Sequence, residues 1–237
     1  MTSREQELVS IAHRVLPGGS LGNIANDLVI DRGEGSHIWD VSGNQYIDYL
    51  LGSGPMLVGH AHPEVLEVVR DQLEKGTTFF AGNEHAILLA DEVVKAVPCA
   101  EKVRFSSTGS EATLYAMRAA RAYRGRDKIL KFEGGFHGMN DYGLMSMAPS
   151  QPLEFPAPTP DSTGIPQSLL GDVLVAPFND IETTFAIIER HHGVLAGVIV
   201  EPFQRVIPPA PGFLQGLRDI TRQYQVPLIF DEIVTGF

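Results

Sequence analysis

The stretch Leu228-Ile-Phe-Asp-Glu-Ile-Val-Thr-Gly-Phe237 decides the predicted fold. Its first three residues are apolar, follow Pro227 and predict a short buried strand that ends directly at the carboxylates of Asp231 and Glu232. In an open α/β sheet, ligands bind in the crevice beyond the carboxyl ends of the strands. An acid at this position could hold a protonated ring nitrogen, whereas a solvated acidic turn would show the same sequence.

Upstream of this stretch, short apolar runs alternate with segments that are apolar at helical spacing. The predicted strands are residues 103–105, 128–132, 172–176 and 194–200, and the predicted helices begin near residues 63, 86, 110, 180 and 212. This alternation predicts an α/β fold with a mostly parallel sheet covered by helices on both faces. Residues 1–60 predict a β-rich segment with a hairpin over 36–50, and the proline-rich residues 148–171 predict a long surface excursion that could act as a lid.

Composition narrows the class of protein. The 237 residues, 43% of them hydrophobic, can bury one substantial core, and the net charge of -11 argues against binding to nucleic acid or to an anionic membrane. The N-terminus lacks a signal pattern and no apolar run approaches the roughly 20 residues of a membrane span, so a cytoplasmic protein is expected. The single cysteine, Cys99, is expected to be a small buried hydrophobe and to belong to neither a disulfide nor a metal site.

The loop Ser106-Ser-Thr-Gly-Ser-Glu-Ala112 joins a predicted strand to a helix that begins near Ser110. Such a loop presents unpaired N–H groups and the positive end of the helix dipole, which suits a phosphate. Simple capping of the helix by Ser110 is the alternative. The loop lacks the Gly-Lys-Ser/Thr ending of a nucleoside triphosphate site.

Two further strand ends carry polar or aromatic side chains. In Glu133-Gly-Gly-Phe-His-Gly138, Phe136 could stack on a planar ring and His137 could form a hydrogen bond, although a single aromatic residue is commonly part of a core. In Val200-Glu-Pro-Phe-Gln-Arg205, an apolar strand again ends in an acid, Glu201. Four strand ends with these side chains together predict one pocket.

These motifs in this order resemble the class III pyridoxal-phosphate aminotransferases, and most closely their aminomutase members. The resemblance extends from Leu16-Pro-Gly-Gly19 through Asp40–Asp48 to the last residue. It implies the aspartate aminotransferase-like fold, also called fold type I, and the cofactor pyridoxal 5′-phosphate. It also implies a small-domain segment over residues 1–60, part of a large cofactor domain over 61–237, and a homodimer.

The resemblance also implies roles for individual residues. Asp231 would pair with the ring nitrogen, and Phe136, where the family usually has Tyr, would stack on the ring opposite Ile233. Val234 stands where many relatives have Gln, so Gln204 is the candidate for the ring hydroxyl. The complete implied set is Gly109, Ser110, Phe136, His137, Gln204, Asp231 and Ile233 for the cofactor, and Ser53, Gly54 and Glu201 for the substrate.

The implied reaction moves an amino group between an amino acid or amine and a keto or aldehyde compound, or within one molecule. None of the five lysines, which are Lys75, Lys95, Lys102, Lys128 and Lys131, matches the context of the family's Schiff-base lysine. The chain is therefore expected to be inactive alone, to correspond to the N-terminal part of such an enzyme, and to expose an unpaired sheet edge and apolar surface. The alternatives are a non-catalytic cofactor-binding or regulatory subunit and a dehydrogenase, but the latter lacks its Gly-x-Gly-x-x-Gly turn.

Overall fold

The second part of the chain is built on a parallel sheet. The computed structural model describes residues 2–21 and 27–236, and backbone contacts divide the chain into Met1–Glu92 and Val93–Phe237. In the second unit, strands β4 (Lys128–Phe132), β5 (Val173–Ala176), β6 (Leu195–Val200) and β7 (Leu228–Phe230) have the order β5-β4-β6-β7, and every pair is parallel. The predicted parallel α/β fold is thus confirmed.

Helices cover both faces of this sheet: α4 (Gly109–Arg124), α5 (Ile181–His191) and α6 (Phe213–Gln223). Met117 of α4 packs with Ile129 and Ile199 on one face, while residues of α5 and α6 pack with the alternate strand positions on the other. The strands are apolar at nearly every position because both faces are buried. Within the described ranges, no helix combines the length and the apolar composition that crossing a membrane requires.

The first unit contains a helix, a small antiparallel sheet and two further helices. Its elements are α1 (Ser3–Val15), β1 (Ile30–Glu34), β2 (His37–Asp40), β3 (Gln45–Ile47), α2 (Pro63–Leu73) and α3 (Glu84–Ala96), the last of which crosses the boundary. The predicted hairpin is the antiparallel pair β2 and β3. Helix α1 was not among the predicted elements, although Thr2 caps it by accepting a hydrogen bond from the Glu5 N–H.

Two predictions about the second unit are wrong. Residues 103–105 do not form a strand within the described part of the chain, because a strand requires a neighbour to pair with and these residues have none there. Cys99 is exposed instead of buried, since it lies in the irregular segment after α3 and outside the core.

The proline-rich excursion packs against the outer strand β5. The Val175 N–H donates to the Pro156 carbonyl at 3.0 Å, and Ile165 of the excursion is buried with Met145, Val173 and Val175. The excursion therefore covers one edge and part of one face of the sheet, which removes an exposed strand edge on that side.

Candidate functional site

The sequence-predicted residues of the second unit meet at one edge of the parallel sheet. Because β4, β6 and β7 run in the same direction, their carboxyl ends deliver residues 133–139, 201–205 and 231–234 to the same side. The Asp231 N–H donates to the Val200 carbonyl at 2.8 Å, which extends the β6–β7 ladder by one residue and sets the direction of the acid.

A buried histidine–aspartate pair lies at the centre of this edge. His137 Nδ1 and Asp231 Oδ2 are 2.7 Å apart, and the two side chains are 0% and 4% exposed. Burial lowers the pKa of His137, and this outweighs the raising effect of the Asp231 hydrogen bond. The imidazole is thus neutral at pH 7, and Nδ1–H donates to the carboxylate. The second oxygen, Asp231 Oδ1, accepts from the Ile233 N–H at 3.2 Å.

The N-terminus of α4 lies against the loops that follow β4 and β7. The Ser110 hydroxyl accepts from the Met139 N–H at 2.9 Å, and a Cβ on Gly138 would lie 2.5 Å from Ser110 Cα. A Cβ on Gly109 would lie 3.2 Å from Ile233 Cδ1, so the phosphate-loop candidates and the ring-packing candidate are neighbours.

The residue that caps the N-terminus of α4 is Thr108, whereas Ser110 was the residue considered from the sequence. Thr108 is the N-cap: its hydroxyl accepts from the Glu111 N–H at 3.2 Å, while the Glu111 carboxylate accepts from the Ser107 N–H at 2.7 Å. Ser110 is consequently inside the first turn. The N–H groups of Gly109 and Ser110 precede the first intrahelical hydrogen bond, which leaves them suited to an anion.

Glu201 and Gln204 follow β6 and are both buried. Burial raises the pKa of Glu201, and the negative charge of Asp231 raises it further, while a hydrogen bond from the Phe136 backbone opposes both effects. The Gln204 amide nitrogen donates to the Glu133 carbonyl at 2.7 Å. The Gln204 amide oxygen has no hydrogen-bond partner among the described residues, so it can accept a hydrogen bond from a ring hydroxyl, and the amide nitrogen keeps a second N–H besides the one donated to Glu133.

Phe136 and Arg205 occupy the outer part of the same edge. The Phe136 ring has the Arg205 guanidinium 6.0 Å from its centroid. Arg205 also donates to the Gly134 carbonyl at 3.1 Å. This arrangement connects the loop after β6 to the loop after β4 beside the ring.

Two side chains of this region were missed by sequence reasoning. The Thr113 hydroxyl donates to the His137 carbonyl at 2.7 Å and thereby connects α4 to the histidine. Lys131 is 1% exposed and donates to backbone carbonyls of the loop after β4. A lysine inside an otherwise apolar strand is the signal that could have identified it, because such strands are buried on both faces.

The substrate candidates Ser53 and Gly54 belong to the first unit. Both have left-handed backbone angles, with φ of 70° and 112°, in a turn where the Ser53 N–H donates to the Leu50 carbonyl. Their role at a substrate pocket stays a prediction.

The residues at the sheet edge fit pyridoxal phosphate. Buried polar atoms without a hydrogen-bond partner in the described residues include His137 Nε2, Glu201 Oε2 and Gln204 Oε1, and an unpaired buried polar atom is costly unless a ligand or water completes it. The α4 N-terminus suits the phosphate, and Asp231 suits a cationic ring nitrogen. Phe136 and Ile233 supply apolar surface for the two ring faces.

Known proteins of one family resemble this chain along nearly its whole length. The profile of the family described as aminotransferase class-III matches residues 21–237. A glutamate-1-semialdehyde 2,1-aminomutase of Heliobacterium modesticaldum is 41% identical over 249 aligned residues, which include 100% of this chain and 56% of the relative. The chain thus spans about half the length of the curated relatives it matches.

Solved structures show the same fold. An omega-transaminase from Sphaerobacter thermophilus superimposes with a TM-score of 0.93 at 40% identity, covering 98% of this chain and 56% of that one. A transaminase solved with pyridoxal phosphate bound gives a TM-score of 0.91 at 31% identity, again over 98% of this chain and 56% of that one.

Proposed function

Because the chain belongs to the class III aminotransferase family, whose cofactor is pyridoxal 5′-phosphate, we propose that it binds this cofactor at the carboxyl edge of β4, β6 and β7. The proposed reaction moves an amino group between an amino acid or amine and a keto or aldehyde compound. The observation that carries the proposal is the buried pair of His137 and Asp231 beside the N-terminus of α4. Small-molecule substrates and assembly as a homodimer are part of the same proposal.

Each residue has a distinct task in this proposal. When bound, pyridoxal phosphate supplies an electron sink whose strength depends on a protonated ring nitrogen. The Asp231 carboxylate faces that nitrogen and favours its protonated form. Neutral His137 donates a hydrogen bond to Asp231 and thereby orients the Asp231 side chain.

The remaining residues of the proposed site bind and orient the cofactor and the substrate. Gly109 and Ser110 offer N–H groups to the phosphate, and Phe136 and Ile233 exclude water from the ring faces. Gln204 accepts from the ring hydroxyl, and Glu201 faces the substrate. The raised pKa of Glu201 means that its carboxyl group can carry a proton nearer to neutral pH than an exposed glutamate does.

A cofactor-binding subunit without catalytic activity is the second candidate. It is favoured by the environment of Lys131, whose amine is buried and donates to three backbone carbonyls, so it is not free to react. Borohydride reduction followed by intact-mass measurement tests this second candidate: a covalent adduct on one lysine of this chain would contradict it.

The cofactor site is tested by titrating the purified chain with pyridoxal phosphate in a calorimeter. Asp231→Asn keeps an acceptor for His137 but removes the charge, so we expect its affinity to fall about tenfold or more, as for the loss of one charge-assisted contact. Glu232→Gln is the matched control because this adjacent carboxylate is exposed, and its affinity should stay close to wild type. Failure of the wild-type chain to bind, or equal losses in both variants, would contradict the proposal.

A further inference from the structure

Lys131 is a buried cation at the carboxyl end of β4. Its side chain is 1% exposed, and its Nζ lies 3.0 Å from the Gly135 carbonyl oxygen and 3.1 Å from that of Gly143, with the Met145 carbonyl as a third partner. A lysine ammonium has three N–H donors. Each donor thus has one backbone acceptor, and the full capacity of the group is used inside the protein.

The three carbonyls belong to the loop that carries two of the cofactor-site residues. Gly135 directly precedes Phe136, and His137 comes next. Gly143 and Met145 lie on the returning arm of this loop, which also closes through the Gly134 N–H and the Ser146 carbonyl at 2.8 Å. Lys131 therefore connects the outgoing arm to the returning arm.

We propose that Lys131 is a positioning residue of the cofactor site: its ammonium group ties the carbonyls of Gly135, Gly143 and Met145 together and so holds Phe136 and His137 in their binding geometry. The inference rests on the proposed function, since it concerns how tightly this chain holds pyridoxal phosphate. Lys131 acts through the loop and does not itself contact the cofactor.

The charge of Lys131 matters because all three of its partners in the loop are carbonyl oxygens, which can only accept hydrogen bonds. A neutral amine has two N–H donors and directs its lone pair at the third carbonyl, which loosens one of the three connections. Burial lowers the pKa of Lys131 to about 8, while the carboxylates of Asp161, Glu133 and Glu201 oppose this effect and Arg205 adds to it. The positive charge of Lys131 also contributes to lowering the pKa of His137.

The strand provides a matched control for removing this amine. Lys128 lies on the same strand and donates to the Gly171 carbonyl, away from the loop of residues 133–147. Lys131→Met and Lys128→Met make the same chemical change three positions apart. We expect Lys131→Met to weaken pyridoxal phosphate binding about tenfold, the size of effect expected when a charged donor is lost, and Lys128→Met to leave binding near wild type.

Hydrogen exchange of backbone amides measures how firmly the loop is held, and it requires no cofactor. In Lys131→Met, amides in residues 133–147 should exchange about tenfold faster than in wild type, because the two arms are held by fewer contacts, while β6 and α6 should be unchanged. Exchange that rises everywhere means that Lys131→Met has lost its fold in general, and a wild-type affinity that does not fall as the pH rises through about 8 then contradicts the positioning role.

The pH dependence of cofactor binding is measured first on the wild-type chain, and the folded variants serve as its references. The protonated lysine holds the loop more firmly, so the affinity for pyridoxal phosphate should fall as the pH rises through about 8. The cofactor itself also titrates, and this contribution is the same for every variant. The affinity of Lys128→Met should therefore fall with pH as the wild-type affinity does, while Lys131→Met should lack the part of the fall that is due to Lys131.

The outcomes separate this inference from the proposed function. If the wild-type chain does not bind the cofactor, the proposed function is wrong. Hydrogen exchange in residues 133–147 then still tests whether Lys131 holds the loop. Normal binding with equal affinities for Lys131→Met and Lys128→Met, or unchanged exchange in residues 133–147, overturns the positioning role.

Discussion

Close approach of backbones decides which side chains the site can accommodate. Gly138 has φ of 87°, and a Cβ there would lie 2.5 Å from Ser110 Cα and 2.6 Å from Ser110 Oγ. The absence of a side chain at Gly138 thus allows the loop with His137 to pack on the first turn of α4. The contact also places the Met139 N–H on the Ser110 hydroxyl.

We predict that Gly138→Ala destabilises the fold more than Gly125→Ala does. Gly125 has φ of 60° at the end of α4, and a Cβ added there would meet no atom within 4 Å, so its substitution should cost only the left-handed strain of about 1 kcal/mol. Gly138→Ala adds a backbone clash and should cost about 1–3 kcal/mol more. Urea unfolding of both variants measures the difference, and equal losses would show that the loop moves away without penalty.

At the scale of elements, one arginine joins the ends of three helices to the start of one strand. Arg124, in the last turn of α4, donates to the carbonyls of Leu195, Tyr224, Gln225 and His192 at distances of 2.9 to 3.3 Å. These carbonyls lie at the start of β6 and at the C-terminal ends of α6 and α5. The guanidinium therefore satisfies backbone acceptors that the ends of these elements leave unpaired.

We expect Arg124→Met to lower the free energy of unfolding by about 2 kcal/mol, because several acceptors lose a charged donor. Arg126→Met is the control. Arg126 is exposed and donates to the carbonyls of Gly193 and Gly125, and water can take its place at both carbonyls. Its effect should stay within about 0.5 kcal/mol, as for most surface substitutions. Chemical denaturation checks both values, and similar losses in the two variants would refute the role assigned to Arg124.

At the scale of the whole molecule, apolar surface remains uncovered in both units. In the first unit, α2 and α3 expose apolar side chains, among them Val68, Leu73 and Ile87, and Phe80 is entirely exposed. In the second unit, β7 pairs with β6 alone within the described residues, and Phe230 of β7 is 42% exposed. Surface of this kind is typical of interfaces with other chains or segments.

We predict that the purified 237-residue chain associates with itself as its concentration rises, despite a net charge of -11. Sedimentation velocity over a concentration series measures this, and Val68→Lys on α2 should reduce the association, whereas Glu67→Lys, which changes charge at an adjacent exposed position, should reduce it less. A chain that stays monomeric at every concentration, with cooperative unfolding, would contradict the prediction.

Much of the architecture followed from patterns that are local in the sequence. Apolar runs at 128–132, 194–200 and 228–230 became β4, β6 and β7 because a strand buried on both faces must be apolar at successive positions. The prediction failed at residues 103–105, since a strand depends on a neighbour that the local pattern does not reveal. Helix α1 was missed even though Thr2 and Glu5 have the spacing of a capping motif.

The sequence by itself determined the fold class, the family and the order of the site motifs, because hydrophobic spacing is encoded locally and strands that alternate with helices imply a parallel sheet. Only the tertiary structure decided that His137 and Asp231, 94 residues apart, form a buried pair, and that Lys131 binds the loop beside them. It also decided that Gln204 has its oxygen left over and that Cys99 is exposed. Hydrogen-bond partners and burial depend on residues distant in the chain, and packing brings these residues together only once the sheet has formed.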